Sequence, residues 1–125
     1  MADELRFFVA GPPKGKERPR FTATGRPYTP DATRVYEATL RSHALAAVAR
    51  AGWRVASRDH SFAVELRIRF GDLRRRDLDN VLKAVLDSMN KIVYLDDSQV
   101  SECHVYRELA QEKPGVLVCV RRRPK

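Results

Sequence analysis

Three features of the sequence predict a single small α/β domain. The chain has 125 residues, the size of one ordinary domain built around one core. Apolar side chains recur at every second position from Phe62 to Phe70, which predicts a strand. An alanine-rich run between Thr29-Pro30-Asp31 and Gly52 has the start and stop signals of a long helix. Since no linker, repeat or low-complexity segment divides the chain, we expect one domain over residues 1–125.

The first strand and a basic loop are predicted before that helix. Leu5, Phe7 and Val9 alternate with other residues and stop at the breaker Gly11-Pro12-Pro13. Residues 14–27 are basic, and their glycines and prolines exclude a helical period. We expect this segment to be a mobile arm or a short hairpin.

The first helix is expected to have Thr29 as its N-cap and Pro30 at its first helical position. Gly52 is placed to end it in the left-handed conformation. Together with several alanines, four larger residues are predicted to form its apolar side: Val35, Leu40, Leu45 and Val48.

A second helix is predicted from about Asn80 to Asn90, after the polar run that follows the Phe62–Phe70 strand. Its apolar side is expected to pack against a sheet and comprises Val81, Leu82, Val85, Leu86 and Met89. The apolar run Ile92–Leu95 then returns the chain. Two further strands are predicted near residues 103–109 and 116–122, joined by a Pro114-Gly115 turn.

The charge balance indicates a polyanionic partner. The chain has 24 Lys and Arg against 16 Asp and Glu, which gives a formal charge of +8 and a pI near 10. Basic surfaces also serve solubility, so the charge alone leaves nucleic-acid binding and a merely solvated surface both open. The positions of the acidic residues are more informative.

The remaining composition predicts a cytoplasmic protein without a membrane segment. No apolar stretch approaches the length that crosses a bilayer, and the acidic N-terminus does not resemble a signal peptide. Cys103 and Cys119 are expected to be reduced thiols, since they lack zinc-ligand spacing. The three histidines are isolated in the sequence and are interpreted as structural: His43, His60 and His104.

Acidic residues gather in one stretch of this basic chain. Asp77 and Asp79 are two residues apart, so in extended backbone at a strand end their side chains would leave on the same side. The apolar return to Asp96-Asp97 can bring a third carboxylate to them. Short carboxylates suit Mg²⁺, which keeps water or phosphate on its remaining positions. Along the second helix, a polar stripe rises from the same end and comprises Asn80, Lys83 and Asp87.

Each of these residues also has a structural interpretation. Asp77-Leu78-Asp79-Asn80 before a helix can be capping and turn chemistry alone. The run Arg74-Arg75-Arg76 can be a solvated patch, and Asp96-Asp97 can be a turn. Lys83 and Asp87 can form an exposed pair one helical turn apart.

Taken together, these residues resemble the signature of the RusA family of Holliday-junction resolvases. The resemblance extends from Arg74 to Val100 and is carried by Asp77-Leu78-Asp79-Asn80, Lys83, Asp87 and Asp96-Asp97-Ser98-Gln99-Val100. A weaker similarity joins residues 14–21 and Tyr28-Thr29-Pro30 to the Lys-Gly-Arg-Pro-Arg and Tyr-Thr-Pro elements of phage-type members.

The resemblance implies a mixed β-sheet flanked by helices and a homodimer that cuts four-way DNA junctions symmetrically. It implies Asp77, Asp79 and Asp97 as ligands of Mg²⁺, for which Mn²⁺ can substitute, and Lys83 as the essential basic residue. Asn80, Asp87 and Asp96 are expected to support the site. The residues expected to contact DNA are basic and lie in two segments: Lys14, Lys16, Arg18, Arg20, Arg74, Arg75 and Arg76.

Two other functions remain as alternatives at this stage. A non-catalytic module that binds branched DNA would use the acids only as helix caps. However, several carboxylates near phosphates repel DNA unless a divalent ion compensates them. A metal-dependent phosphatase of small molecules would leave the charge of +8 without a use. We therefore predict the nuclease.

Overall fold

The computed structural model describes residues 3–15, 19–55 and 58–124. Strand β1 is Glu4–Ala10, and β2 (Arg20–Phe21) pairs with β3 (Pro27–Tyr28) in a short hairpin. Helix α1 is Asp31–Ala51, β4 is His60–Phe70 and α2 is Leu78–Ser88. A 3₁₀ turn at Asp97–Gln99 leads into β5 (Val100–Leu109), and β6 is Gly115–Pro124. From Arg20 onward the basic segment is thus a hairpin, which was one of the two forms expected, and Lys14 and Gly15 precede it without regular structure.

The main sheet of the described residues is mixed, with the strand order β1-β6-β4-β5. β6 is antiparallel to both β1 and β4, whereas β5 is parallel to β4. A parallel neighbour needs a crossover, and α2 supplies it. The predicted α/β class with a mixed sheet and flanking helices is confirmed. The Pro114-Gly115 turn joins β5 to β6, but these two strands do not pair with each other.

One face of the sheet is apolar and packs on the helices, because alternate residues of each strand are directed to it. Its buried side chains include those of Leu5, Phe7, Leu66, Ile68 and Val118. The residues between them, such as Arg6, Glu65 and Arg67, are at least partly accessible on the opposite face, which we call the outer face. The alternation in β1 and β4 that predicted the strands therefore also separates their buried and accessible sides.

Helix α1 packs through a different side from the one predicted. Val35 and Leu45 were expected in the core, but they are 67% and 55% exposed. The buried side is formed by Thr33, Tyr36, Leu40, Ala44 and Ala47. Apolar residues lie all round this helix, so the sequence pattern alone selects no single face.

The ends of α1 agree with the prediction at one end only. Gly52 follows the last turn with φ of 62°, in the left-handed conformation that glycine adopts without strain. At the other end Pro30 is the N-cap in extended conformation, and no side chain caps the helix. The prediction of Thr29 as the cap was wrong, because the helix begins one residue later than the Thr-Pro pattern implied.

Helix α2 and the segment after it pack on the core and carry the acidic residues singled out in the sequence. Within α2, Val81, Ala84 and Val85 are buried. Trp53 donates a hydrogen bond from Nε1 to the Val93 carbonyl at 2.9 Å.

Both cysteines are free thiols, as predicted. No helix in the described ranges is long and apolar enough to cross a membrane.

Candidate active site

Asp77 is the N-cap of α2 and not the end of a strand. Its Oδ1 accepts a hydrogen bond from the Asp79 backbone N–H at 3.0 Å, and its Oδ2 accepts one from Asn80 Nδ2 at 3.4 Å. Strand β4 ends at Phe70, so the extended arrangement predicted for Asp77 and Asp79 was wrong. A carboxylate has about four lone-pair positions, so these two bonds leave capacity for a cation.

Asp79 lies in the first turn of α2, where the free N–H groups of the helix favour a negative charge. Asp77, Asp79, Asn80 and Lys83 are all exposed. The start of α2 therefore presents two accessible carboxylates, and Lys83 follows one turn further along the helix. These side chains can meet a ligand without any rearrangement of the core.

Asp97 lies in an environment that disfavours its charge. Partial burial raises the pKa of its carboxyl, and the neighbouring carboxylates of Asp96 and Asp87 raise it further. Asp87 also hydrogen-bonds with Asp97, whereas the ammonium of Lys83 lowers the pKa of Asp97. These effects show that Asp97, Asp87, Asp96 and Lys83 share one electrostatic neighbourhood beside α2.

The 3₁₀ turn that carries Asp97 is fixed by a reciprocal cap. Asp96 accepts a hydrogen bond from the Ser98 backbone N–H at 3.0 Å, and Gln99 Oε1 accepts one from the Asp96 backbone N–H at 3.2 Å. Gln99 also donates from Nε2 to the His60 carbonyl of β4 at 3.1 Å. Sequence reasoning missed this role of Gln99, although the spacing Asp96-x-x-Gln99 is that of a capping box.

Tyr94 is a second residue that sequence reasoning missed. It is fully buried, and its hydroxyl donates to the Leu86 carbonyl of α2 at 2.7 Å. Burial raises the pKa of Tyr94, and the negative charges of Asp97 and Asp87 raise it further. Tyr94 therefore ties the return segment to α2 beside Asp87, Asp96 and Asp97, which we call the acidic cluster. Its signal in the sequence was the apolar run Ile92–Leu95, which gives no reason to single it out.

The donor chemistry of this region fits a hard divalent cation. The candidate ligands are carboxylates, with no thiol or imidazole among them, and oxygen donors of this kind are what Mg²⁺ prefers. The raised pKa of Asp97 shows that its charge is disfavoured in the protein alone, whereas hydrogen bonds from Ser98 lower the pKa of Asp96. In the described part of the chain, no three Asp, Glu, His or Cys residues form a group that could hold a metal. The structure thus does not bring Asp77, Asp79 and Asp97 together as a preformed cage.

Three of the basic residues expected to contact DNA line depressions beside the start of α2. Lys14 and Arg76 line a cleft of about 430 Å³ together with Asp77 and Asn80. Arg75 and Arg76 border a second depression beside Asp77. Arg20 is exposed on β2, whereas Lys16 and Arg18 lie outside the described residues.

Two of these arginines also have partners within the protein. Arg76 donates to Asp72 Oδ1 at 2.7 Å and stacks over the Phe70 ring, and Arg74 lies 3.3 Å from Asp72. Hydrogen bonds from Arg76 and from the Arg74 backbone hold the pKa of Asp72 well below its usual range. The side chain of Arg74 remains 79% exposed, whereas that of Arg76 is 24% exposed.

The three histidines lie outside this cluster. His43 Nδ1 lies 2.8 Å from the Thr39 carbonyl one turn earlier in α1, and His104 Nε2 lies 2.6 Å from Glu102 on the outer face. The backbone carbonyl of His60 is the acceptor for Gln99. Their places agree with the structural interpretation drawn from the sequence.

Comparison with known proteins gives one family and one curated relative. The family model described as "Endodeoxyribonuclease RusA" matches residues 10–121. A curated protein of Aquifex aeolicus (strain VF5), "Crossover junction endodeoxyribonuclease RusA", is 31% identical over 64 residues. That match covers 50% of this chain and 51% of the relative, so the chain spans about half the length of the curated relative it matches.

Proposed function

Because the chain belongs to the RusA family of endodeoxyribonucleases, we propose that it is a Mg²⁺-dependent nuclease that resolves four-way DNA junctions in recombination and repair. The single observation that carries this proposal is the crowding of Asp87, Asp96 and Asp97 beside α2 in a protein with a formal charge of +8. Burial and the neighbouring carboxylates of Asp96 and Asp87 raise the pKa of Asp97, and Asp77 at the start of α2 borders a cleft that Lys14 and Arg76 also line. A surface that only bound DNA would gain nothing from such an arrangement.

In this proposal Asp77, Asp79 and Asp97 hold the divalent ion, for which Mn²⁺ can substitute. When bound, the ion supplies a more acidic water for attack and neutralises charge on the scissile phosphate. Asp87 and Asp96 tune the charge of Asp97, and Asn80 orients Asp77 through its hydrogen bond. Lys83 places a positive charge one turn from the start of α2, where it can stabilise the charge that develops on the phosphate.

The basic residues around the cleft would hold the junction arms through their phosphates. Contacts of this kind carry no base sequence, so we propose selection by branched shape and not by base identity. Lys14, Arg20, Arg74, Arg75 and Arg76 supply such charges in the described part of the chain, and Lys16 and Arg18 extend the set. We propose that a nuclease of this type acts in the cytoplasm.

We also propose that the active form is a homodimer. Symmetric cuts in two strands of a four-way junction need two active sites related by a two-fold axis, and one domain with one acidic cluster supplies one site. Light scattering of the free protein and of its junction complex is expected to give the mass of two chains. A monomer in both samples would contradict the homodimer and leave the assignment of the acidic residues untouched.

The alternative of a non-catalytic module that binds branched DNA has one observation in its favour. Asp77 does cap α2 in the way that the structural interpretation of this residue requires. Capping by Asp77 leaves Asp87 and Asp97 unexplained, since Asp96 caps the 3₁₀ turn. The crowding that raises the pKa of Asp97 costs free energy that a binding surface does not recover.

A cleavage assay on matched substrates tests the proposal. The purified protein would be incubated with a synthetic four-way junction or a linear duplex of the same sequence, with Mg²⁺ or with a chelator. We expect paired cuts in the junction with Mg²⁺, little cutting of the duplex, and none with the chelator. Binding of the junction without cutting under all conditions would support the non-catalytic module instead.

A further inference from the structure

Residues 13–15, which we call the basic arm, cross the start of α2 at Gly15. A Cβ atom built on Gly15 would lie 2.7 Å from the Cβ of Asn80, and the backbone of Asn80 is within 3.7 Å of it as well. Non-bonded carbon atoms do not approach so closely, and Cβ of Asn80 cannot swing aside because it is fixed to the helix backbone. The arm can therefore lie on α2 at this point only because residue 15 has no side chain.

The arm is also held from the side of α1. Pro13 is buried. The Tyr36 hydroxyl is buried without a well-formed hydrogen bond. Burial raises the pKa of Tyr36 to about 12, and the backbone of Lys14 is close enough to lower it in part. Lys14-Gly15 thus lies between Tyr36 of α1 and Asn80 of α2.

This crossing forms one wall of the cleft beside Asp77. The cleft has a volume of about 430 Å³, and its polar lining comes from Lys14, Thr33, Arg76, Asp77 and Asn80. A volume of this size accommodates a group about as large as one nucleotide. The cationic side chains of Lys14 and Arg76 and the amide of Asn80 suit a phosphodiester. Asp77 lines the same cleft and would lie beside that phosphodiester.

We propose that Gly15 is a positioning residue for the nuclease reaction, an inference that rests on the proposed function. By lying directly on Asn80, Gly15 holds Lys14 beside Asp77, and the phosphodiester backbone of the bound strand passes through the cleft between them. Gly15 touches no reacting atom in this scheme. Its effect on DNA is exerted through the placement of Lys14.

Gly15→Ala is therefore expected to reproduce the effect of Lys14→Ala. Both variants should reduce the slope of log K against log salt for junction binding by about 0.9, the value for one lost phosphate contact. The double variant should show the same reduction once and not twice, because both changes remove the same contact. A general loss of stability would not produce this pattern of salt dependence.

Gly71→Ala is the matched control. A Cβ on Gly71 would lie 3.9 Å from Pro114 Cγ, an ordinary contact, and Gly71 lies outside the cleft. This variant is expected to keep the wild-type salt slope. If the wild type binds and cuts junctions and Gly15→Ala has the same salt slope as Gly71→Ala, the inference about Gly15 is wrong and the proposed function stands. A wild type that neither binds nor cuts junctions would overturn the proposed function first.

Removal of the steric contact supplies an independent test. Asn80→Gly deletes the Cβ atom that residue 15 would meet, at the cost of the hydrogen bond to Asp77. In this background Gly15→Ala is expected to have no further effect on junction affinity or salt slope, even if the single variant Gly15→Ala does not fold. An equal loss from Gly15→Ala in both backgrounds would overturn the steric explanation.

Discussion

The pKa values of acidic residues are shifted in opposite directions on the outer face of the sheet and at Asp97 beside α2. On the outer face, Glu108 accepts hydrogen bonds from Arg69 at 3.0 Å and Arg67 at 2.9 Å, and these bonds lower its pKa. Glu102 accepts from His104 and from Arg123, with the same effect on its pKa. Beside α2, burial and neighbouring acids raise the pKa of Asp97.

A shortage of basic residues does not explain why the environment of Asp97 disfavours its charge. The chain has 24 basic residues and places several directly against the acids of the outer face, while Arg74 and Arg76 are paired with Asp72 a few residues before Asp77. The acids of the outer face are thus neutralised by the protein itself. Beside α2, the raised pKa of Asp97 shows a carboxylate whose charge is disfavoured, and the proposed divalent ion would neutralise it.

Cleavage should separate the two regions most strongly. Asp77→Asn, Asp79→Asn and Asp97→Asn are each expected to lower junction cleavage by at least ~1,000-fold, while junction binding is kept or improved because a repelling charge is removed. Glu102→Gln and Glu108→Gln are expected to cut at the wild-type rate. A nicking assay paired with a gel shift measures both properties, and near-normal cutting by any of the three aspartate variants would remove that residue from the ligand set.

Lys83 should differ from the basic residues that only contact the DNA backbone. Lys83→Ala is expected to lower the single-turnover cleavage rate by about 100-fold with little change in junction affinity, because its charge acts on the transition state. Arg75→Ala should weaken binding and reduce the salt slope by about one, with a normal rate at saturation. If Lys83→Ala follows the pattern of Arg75→Ala instead, Lys83 is a backbone contact.

Stability should change with opposite signs in the two regions. Without divalent ions at neutral pH, Asp97→Asn is expected to raise the free energy of unfolding by about 0.5 kcal/mol, because it relieves repulsion from Asp96 and Asp87. Glu108→Gln is expected to lower it by about the same amount, because Arg67 and Arg69 lose a partly exposed partner. Urea unfolding measures both, and equal signs would contradict the comparison.

The pH dependence of these effects should also be opposite. The lowered pKa of Glu108 gives stability that is present above its ordinary pKa of 4.5 and is lost as the pH falls below it. The raised pKa of Asp97 gives a penalty that is present at neutral pH and is relieved as the pH falls through its folded-state pKa. As the pH falls from 7 to the ordinary aspartate pKa of 3.8, the difference in urea midpoint between Asp97→Asn and wild type should shrink towards zero. The difference for Glu108→Gln should begin to shrink only below pH 4.5.

Local sequence patterns predicted the parts of the fold in which one face decides burial. The alternation in β4 and the spacing of Val81 and Val85 in α2 indicated the buried sides correctly, because each element packs through one side. The pattern failed in α1, where Val35 and Leu45 are as apolar as the buried Leu40. Which of them is buried is decided by contacts with β1 and α2, which no local pattern contains.

The candidate site was predictable as a set of residue types and not as a geometry. The acids were evident because they gather in one stretch of a basic chain. That Asp87 hydrogen-bonds with Asp97 depends on Tyr94 and Gln99, which hold the return segment against α2 and β4. The approach of Gly15 to Asn80 joins segments 65 positions apart, and sequence spacing gives no sign of it.

Mn²⁺ binding measured by electron paramagnetic resonance tests the central claim most directly, because free Mn²⁺ gives a signal that decreases on binding. We expect wild type and Glu108→Gln on junction DNA to bind Mn²⁺ alike, with competition by Mg²⁺. Asp77→Asn, Asp79→Asn and Asp97→Asn should each weaken that binding by at least ~10-fold, since each removes a charged ligand. Equal binding by Asp97→Asn and wild type, or a loss confined to Glu108→Gln, would contradict the assignment of the ion to the acids beside α2.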